Sequence, residues 1–158
     1  WQLAVMLDSR RIIGMCENPD RYDEQINSWY EMALGDKEER IQHHAADSLF
    51  GFYLRKKNYE MAEKYLNYFS DYDPMKKLKL GQLYMEQEKT EEAYEKLENV
   101  DTICDFQKSR LYKHIKFQDA ENPYAEEMKK ELIAGFQNEE DFAYMKGYKP
   151  WKKLLAKY

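Results

Sequence analysis

Apolar residues recur along this chain with the spacing of amphipathic helices rather than of strands. Ile26, Trp29, Tyr30 and Ala33, for example, lie three or four positions apart on one helical face. Strand-like alternation is absent, and proline and glycine are few. The pattern predicts an all-α chain of about nine to ten helices. They are expected near residues 2–16, 21–34, 37–57, 59–72, 75–88, 90–100, 104–118 and 124–137, in a short stretch ending near 146, and at 150–157.

Short polar residues mark where several of these helices begin. Asn58, Asp73 and Thr90 stand at the starts of three helical patterns. Their side-chain oxygens can accept a hydrogen bond from a backbone N–H that the first helical turn leaves unpaired. A proline follows Asp73, and proline is favoured at the first helical position. We therefore predict that all three residues are N-caps.

Two stretches of the chain repeat one another at an offset of 31 residues. The matched pairs are Leu49 and Leu80, Tyr53 and Tyr84, Ala62 and Ala93, and Leu66 and Leu97. The small residues Ala62, Ala93 and Gly81 are expected to let paired helices approach closely. A unit this short cannot bury its apolar face alone, so neighbouring units must stack. Stacked helical hairpins offer surfaces for binding other molecules, which favours recognition over catalysis.

These residues resemble the tetratricopeptide repeat. The family pattern is a large apolar residue, Leu-Gly and Tyr on the first helix, then Ala, a large apolar residue and a closing Pro. The second copy matches at Leu80, Gly81, Tyr84, Ala93 and Leu97, and the first at Leu49, Tyr53, Ala62, Leu66 and Pro74, with Phe50 in place of glycine. The resemblance implies antiparallel helical hairpins stacked as a short α-solenoid. Its single domain would span 1–158, with N-terminal degenerate helices (1–42), repeat 1 (43–73), repeat 2 (74–103) and C-terminal degenerate or capping helices (104–158).

The resemblance also implies a binding surface, because first-helix residues that do not pack inward form the concave face of such an array. Those positions are His44, Asp47, Gly51, Leu54 and Arg55 in repeat 1, and Leu78, Gln82, Met85 and Glu86 in repeat 2. The Lys/Asn set with which some family members clamp a carboxylate terminus is not present there. The face is predicted to hold a peptide by apolar contact and backbone hydrogen bonds. The alternative is that these residues only pack on another subunit or face solvent.

The C-terminal part carries a second resemblance. The segments 108–114 (Lys-Ser-Arg-Leu-Tyr-Lys-His), 141–147 (Asp-Phe-Ala-Tyr-Met-Lys-Gly) and 151–154 (Trp-Lys-Lys-Leu) are similar to the C-terminal end of bacterial XRE-type helix-turn-helix transcription regulators. In such regulators a helical array senses a peptide or mediates dimerisation, and so controls DNA binding. Since the chain opens at Trp1 directly in an apolar run, the resemblance leads us to expect a DNA-binding domain upstream of Trp1.

Composition narrows the classes of partner. The net charge is −5, from 25 basic and 30 acidic residues that are interspersed as on solvated helix faces. Because DNA affinity comes mainly from Lys and Arg neutralising phosphates, direct nucleic-acid binding by this segment is not expected. Neither a signal peptide nor a long apolar run is recognisable, and Cys16 and Cys104 form no Cys-x-x-Cys pair. A cytoplasmic location without membrane contact is predicted.

No constellation of residues indicates catalysis or a cofactor. His43 shares a helix face with Asp47 and Glu39, but no further ligands at a recognised metal spacing accompany them. The acidic pair Glu91-Glu92 begins a helix, where the helix dipole accounts for it. Known phosphate-loop, nucleophile-elbow and His-Glu-x-x-His motifs are absent. We predict no catalytic residues, no metal, no cofactor and a protein that is not an enzyme.

The sequence therefore favours a protein- or peptide-interaction and regulatory domain. By resemblance, it is predicted to be the effector-sensing or dimerisation part of a bacterial transcription regulator. The expected partner is a peptide or protein, and a homodimer is a second option. The alternative function is a passive scaffold or homodimerisation module without a ligand groove.

Overall fold

Helices make up every regular element in the part of the chain that the structure describes. The computed structural model describes residues 2–12, 22–71, 73–103, 123–138, 140 and 142–158. In chain order the helices are α1 (Gln2–Ile12), α2 (Asp23–Ala33), α3 (Glu39–Arg55), α4 (Tyr59–Tyr65), α5 (Pro74–Glu86), α6 (Thr90–Leu97), α7 (Val100–Ile103), α8 (Pro123–Phe136) and α9 (Lys149–Leu155), with 3-10 turns at Leu66–Tyr68 and Ala143–Met145. The predicted all-α class is confirmed. The helix predicted near 104–118 lies outside the described residues, as do Cys16 and Cys104.

Two of the predicted caps are present, at the starts of α4 and α5. The Oδ1 atom of Asn58 accepts a hydrogen bond from the backbone N–H of Met61 at 3.2 Å. The Oδ1 atom of Asp73 accepts one from the backbone N–H of Met75 at 2.9 Å, and Pro74 is the first residue of α5. Each bond satisfies a donor that the helix itself leaves unpaired, which explains why these helices begin where they do.

The prediction that Thr90 caps α6 is wrong. Thr90 is the first residue of α6, and the preceding Lys89 occupies the cap position without a side-chain hydrogen bond. A lysine side chain offers no acceptor to the N–H groups of the first turn. The carboxylates of Glu91 and Glu92 lie in that turn and favour this start through the positive end of the helix dipole.

The 31-residue repeat extends to the turns that join α3 to α4 and α5 to α6. Lys57 has a φ angle of 57° and Glu88 one of 60°, which places both in the left-handed region that non-glycine residues rarely adopt. These two residues are themselves one repeat offset apart. In each turn the next residue donates its backbone N–H to the carbonyl of a repeated tyrosine at 2.9 Å, from Asn58 to Tyr53 and from Lys89 to Tyr84. The two hairpins therefore share one backbone geometry at their turns.

The small residues of the repeat lie at helix contacts, as predicted. Ala62 in α4 and Ala93 in α6 are both fully buried. A Cβ atom added to Gly81 of α5 would lie 2.9 Å from the Cδ2 atom of Leu97 in α6 and 3.0 Å from its Cγ atom. Carbon atoms in favourable contact are about 3.5–4.0 Å apart. The backbone of α5 therefore approaches α6 too closely to leave room for a side chain at Gly81.

The chain divides into two compact units, unit 1 (Trp1–Tyr68) and unit 2 (Phe69–Tyr158). This boundary falls inside the predicted repeat 1 (43–73). The cap residue Asp73 therefore lies in unit 2, together with α5, the helix that it caps. In unit 1 each helix packs against its neighbour in sequence, α1 on α2, α2 on α3 and α3 on α4. The stacking of the two repeats into a solenoid stays a prediction.

Unit 1 has an apolar core with polar groups bonded at its edge. The core includes Ile26, Ala45, Ala46, Leu49 and Phe50. The hydroxyl of the buried Tyr65 donates a hydrogen bond to the carboxylate of Glu31, and the Tyr65 ring stacks on Tyr53 with centroids 5.5 Å apart. Burial, with the Glu31 carboxylate beside it, raises the pKa of Tyr65 well above its ordinary value. The phenol therefore stays protonated and joins α4 to α2.

Unit 2 has its own core, to which residues 142–158, called here the C-terminal segment, contribute. Its buried members are Ala93, Leu97, Val100, Ile103, Ile133, Phe136, Met145, Trp151 and Leu154. They come from α6, α7, α8, the second 3-10 turn and α9. Leu78 and Tyr84 of α5 pack against this cluster as partly buried residues. Burial of these side chains therefore holds the C-terminal segment against the α5–α6 hairpin.

Candidate functional site

A cavity of about 300 Å³ lies in unit 2, bordered by α5, the end of α6 and the C-terminal segment. Its lining residues are Leu78, Gln82, Met85, Leu97, Phe142 and Tyr144. Leu78, Gln82 and Met85 are four and three positions apart, so they share one face of α5. Three residues of the predicted concave face thus come together around one cavity, which we call the α5 cavity.

The far wall of the α5 cavity is a short turn anchored in the core. Phe142 precedes the 3-10 turn, and the backbone N–H of Met145 donates to the Phe142 carbonyl at 2.9 Å. Met145 is fully buried, and the Phe142 ring stacks on Trp151 with centroids 5.2 Å apart and planes 23° apart. These contacts fix Phe142, and with it Tyr144 two residues later, at the edge of the cavity.

The α5 cavity is apolar and carries two hydrogen-bonding groups. Its apolar lining comes from Leu78, Met85, Leu97 and Phe142. Burial raises the pKa of Tyr144 from 10.0 to about 12. Its hydroxyl is protonated at neutral pH, as that of any tyrosine is, and can donate a hydrogen bond. The exposed Gln82 amide can both donate and accept. The described lining contains no carboxylate, imidazole or thiol, and its apolar walls suit contact with an apolar group.

The other predicted site residues do not line the α5 cavity. Glu86 is exposed on α5, one turn beyond Gln82. His44, Asp47 and Arg55 lie on α3 in unit 1, where His44 and Asp47 are half-buried and Arg55 is exposed. The His44 ring meets Tyr30 of α2 edge-on, with centroids 6.1 Å apart. His44 therefore takes part in the packing of α2 on α3.

Leu54 is a correction to the predicted binding surface. It is only 8 % exposed and belongs to the core of unit 1, whereas the prediction placed it on an open binding face. Gly51 and Arg55 are linked instead, because a Cβ atom on Gly51 would lie 3.4 Å from the Nη1 atom of Arg55. The Arg55 side chain therefore runs back along α3 over the glycine.

Sequence reasoning missed the residues that complete the cavity. Leu97 was expected only as a repeat core position, and Phe142 and Tyr144 were expected only in a capping helix. The available signal was the pair of aromatics two positions apart shortly before Gly147, which a continuous helix would place on nearly opposite faces. Gly147 has a φ angle of 95°, which ends this turn in a conformation that glycine adopts readily.

In the part of the chain that the structure describes, no group of three or more His, Cys, Asp or Glu side chains is arranged to hold a metal ion. Among the described helices, none combines the length and the apolar character needed to cross a membrane.

Comparison with known proteins finds no matching family model, no similar curated protein and no similar solved structure.

Proposed function

We propose that this chain is a peptide- or protein-interaction domain in which the α5 cavity receives an apolar side chain of the partner. The observation that carries the proposal is the apolar cavity of about 300 Å³ edged by the Gln82 amide and the Tyr144 hydroxyl. Ligand pockets generally combine mostly apolar walls with a few oriented polar groups. A bound peptide would bury one side chain and form hydrogen bonds from its backbone to these two groups.

Binding at this cavity gives the domain a means of regulation. The lining comes from α5, the end of α6 and the C-terminal segment, which are distant in sequence. A partner that binds one arrangement of these elements more tightly than another shifts the population toward that arrangement. Occupancy would therefore change how firmly the C-terminal segment is held against the α5–α6 hairpin.

The proposal extends to the effector-sensing or dimerising part of a bacterial transcription regulator. It is supported by the resemblance of segments 141–147 and 151–154 to the termini of such regulators. The coding sequence upstream of Trp1 tests this part. A helix-turn-helix encoded there supports the regulator role, whereas an upstream sequence without one removes that role and leaves the interaction proposal standing.

The peptide-binding proposal is tested with a random peptide library selected on the wild-type chain. The best binders are then titrated calorimetrically into wild type and a Met85→Glu variant. We expect a loss of affinity of about tenfold or more, because the new carboxylate would be desolvated against the bound apolar side chain. A matched control is Met75→Glu, on the same helix but 44 % exposed and outside the lining. If both variants bind as wild type does, the α5 cavity is not the site.

Homodimerisation is a second candidate function, favoured by exposed apolar side chains in unit 1. Leu3, Met6 and Met32 are 60 %, 49 % and 74 % exposed. Leu3 and Met32 also line a groove of about 680 Å³, whose lining further includes Trp29 and Ala33 and the polar Asp36, Glu38 and Arg40. A second copy of the chain would cover these exposed apolar side chains. Sedimentation of wild type and Met32→Lys tests it, and a wild-type monomer at high concentration would eliminate this candidate.

A further inference from the structure

A second cavity, of about 330 Å³, lies at the C-terminal end of unit 2 and has a different character from the first. Its floor is formed by the rings of Phe136, Phe142 and Trp151, and its edge carries Lys146 and Lys152. We call it the C-terminal cavity. It shares the Phe142 ring with the α5 cavity but takes none of the α5 residues.

The floor of the C-terminal cavity is a set of mutually packed aromatic rings. The Phe136 ring lies 5.0 Å from Trp151 and 5.2 Å from Phe142, measured between centroids. Phe136 and Trp151 are only 2 % and 4 % exposed, so both are held by the core on their far sides. Aromatic rings packed in this way form a rigid apolar surface, onto which a further apolar group can pack without reorganising the site.

The edge of the C-terminal cavity is positively charged, in contrast with the acidic chain as a whole. Lys146 and Lys152 are both exposed, and the described lining contains no carboxylate. From 142 to 158 the sequence has no Asp or Glu, and its exposed lysines are Lys146, Lys149, Lys152, Lys153 and Lys157. Glu140 is an exposed acid that precedes this segment, and Glu139 and Asp141 lie outside the described residues. Burial and the carboxylates of Glu91, Glu95 and Glu98 raise the pKa of Tyr148, so acidic groups on and next to α6 also face this segment. Lys146 and Lys152, which lie in the lining itself, are the groups that favour an anionic ligand.

We propose that the C-terminal cavity is a second binding site, for an acidic peptide segment that inserts one aromatic or large aliphatic side chain. The inserted side chain would lie on the Phe136–Trp151 floor, and a carboxylate beside it would lie between Lys146 and Lys152. The apolar contact supplies affinity in proportion to the area removed from water. The two lysines supply selectivity for acidic flanks and faster association.

A peptide fits these features better than other anions do. A single-stranded nucleic acid uses several aromatic platforms along a basic groove, whereas this site has one recess for one group. The site is distinct from the α5 cavity of the proposed function, because the residues that would recognise the ligand, apart from Phe142, differ between the two.

The probe is the peptide acetyl-Asp-Glu-Phe-Glu-Asp-amide, followed through the fluorescence of Trp151. Trp1→Phe and Trp29→Phe substitutions leave Trp151 as the reporting indole. We expect saturable binding that weakens at least tenfold when the peptide's Phe becomes Ala or its acids become amides. Affinity should also fall as salt is raised, because exposed ion pairs are screened. Failure of the probe to bind at millimolar concentration overturns the proposal.

Reversing the charge of selected lysines shows where on the chain the probe peptide binds. In this reporter background, Lys146→Glu/Lys152→Glu is expected to reduce affinity at least tenfold, whereas Lys149→Glu/Lys153→Glu, outside the lining, changes it less than threefold. All four lysines are exposed, so circular dichroism should show both variants folded. Equal losses of affinity in the two double variants would indicate general electrostatic attraction to lysines and would overturn the proposed site. Oligothymidylate and anionic lipid vesicles serve as competing ligands. If either binds more tightly than the probe peptide, and if that binding depends on Lys146 and Lys152, the assignment to a peptide is overturned. Unchanged binding by Met85→Glu separates this site from the α5 cavity.

Discussion

Replacing Gly81 by alanine is the most direct test of how closely α5 and α6 approach. Gly81 is buried within α5, and the added methyl carbon would lie 2.9, 3.0 and 3.2 Å from Cδ2, Cγ and Cδ1 of Leu97. Leu97 is 2 % exposed and part of the unit 2 core, and it also lines the α5 cavity. The added methyl group would occupy space that the Leu97 side chain fills, so Leu97 would have to shift to admit it.

Two opposing effects set the size of the change. Alanine is favoured over glycine inside a helix by about 0.5–1 kcal/mol. Overpacking of a well-filled core typically costs about 1–3 kcal/mol. The overlap involves three atoms of a buried side chain, so we expect the packing cost to exceed the helical gain. The free energy of unfolding of Gly81→Ala should fall by about 1 kcal/mol, which corresponds to a midpoint about 2–4 °C lower.

The assay is urea and thermal unfolding of Gly81→Ala beside a matched control, Gly135→Ala. Gly135 lies in α8 of the same unit, and a Cβ atom there would meet nothing within 4 Å. The control should therefore gain up to about 1 kcal/mol from helix propensity alone. In a Leu97→Ala background the cost at Gly81 should disappear, because the overlapping atoms are gone. If Gly81→Ala stabilises the chain as much as Gly135→Ala, the close approach of α5 to α6 is refuted.

Four further predictions follow from the described contacts. Ala93→Leu should lower the free energy of unfolding by about 1–3 kcal/mol, because Ala93 is fully buried in the core; an unchanged melting temperature would contradict the pairing of α6 with its neighbours. Glu88→Gly should raise the free energy of unfolding by a few tenths to about 1 kcal/mol, because glycine adopts the positive φ of this position without strain. Glu95→Gly, within α6, should lower it by about 1 kcal/mol. Equal losses of the two variants in urea titrations would refute the turn geometry. Asp73→Ala should lose about 1 kcal/mol and Asp73→Asn much less, because asparagine caps as well as aspartate does; equal losses would show that the charge, not the cap, matters. The pKa of Tyr144 is about 12 in the folded chain against 10.0 for the free side chain, so its contribution to stability is complete below pH 10 and is lost as the pH rises toward 12. Over that pH range the urea midpoint of Tyr144→Phe should therefore fall less than that of wild type. Parallel pH dependence of the two midpoints would argue against the burial of this phenol.

Features that depend on neighbouring residues in sequence could be predicted well. The apolar spacing indicates the helices, and the caps at Asn58 and Asp73 follow from the residue type and its position. The buried alanines follow from the 31-residue repeat, since a small residue at a repeated position indicates a helix contact. The prediction for Thr90 missed by one position, because α6 begins at Thr90 itself and Lys89 occupies the cap position.

Features that depend on tertiary structure could not be predicted in the same way. The side chain of Leu54 is buried because its face of α3 meets the core of unit 1, which the family pattern alone does not specify. Phe142 and Tyr144 reach the α5 cavity only because the C-terminal segment packs in the core of unit 2. The positive φ angles of Lys57 and Glu88 arise from residues with no intrinsic preference for that conformation. The hairpin geometry, and not the residue type, imposes them.

The Phe142 ring borders both cavities. If both proposed sites bind ligands, a ligand that turns this ring would alter the room available in the neighbouring recess. Equilibrium thermodynamics then demands symmetry: whatever factor the first ligand applies to the dissociation constant of the second, the second must apply to the first. Measuring each dissociation constant with the other recess empty and then saturated would yield this factor. In that case the side chain of Phe142 would carry the coupling between the two sites.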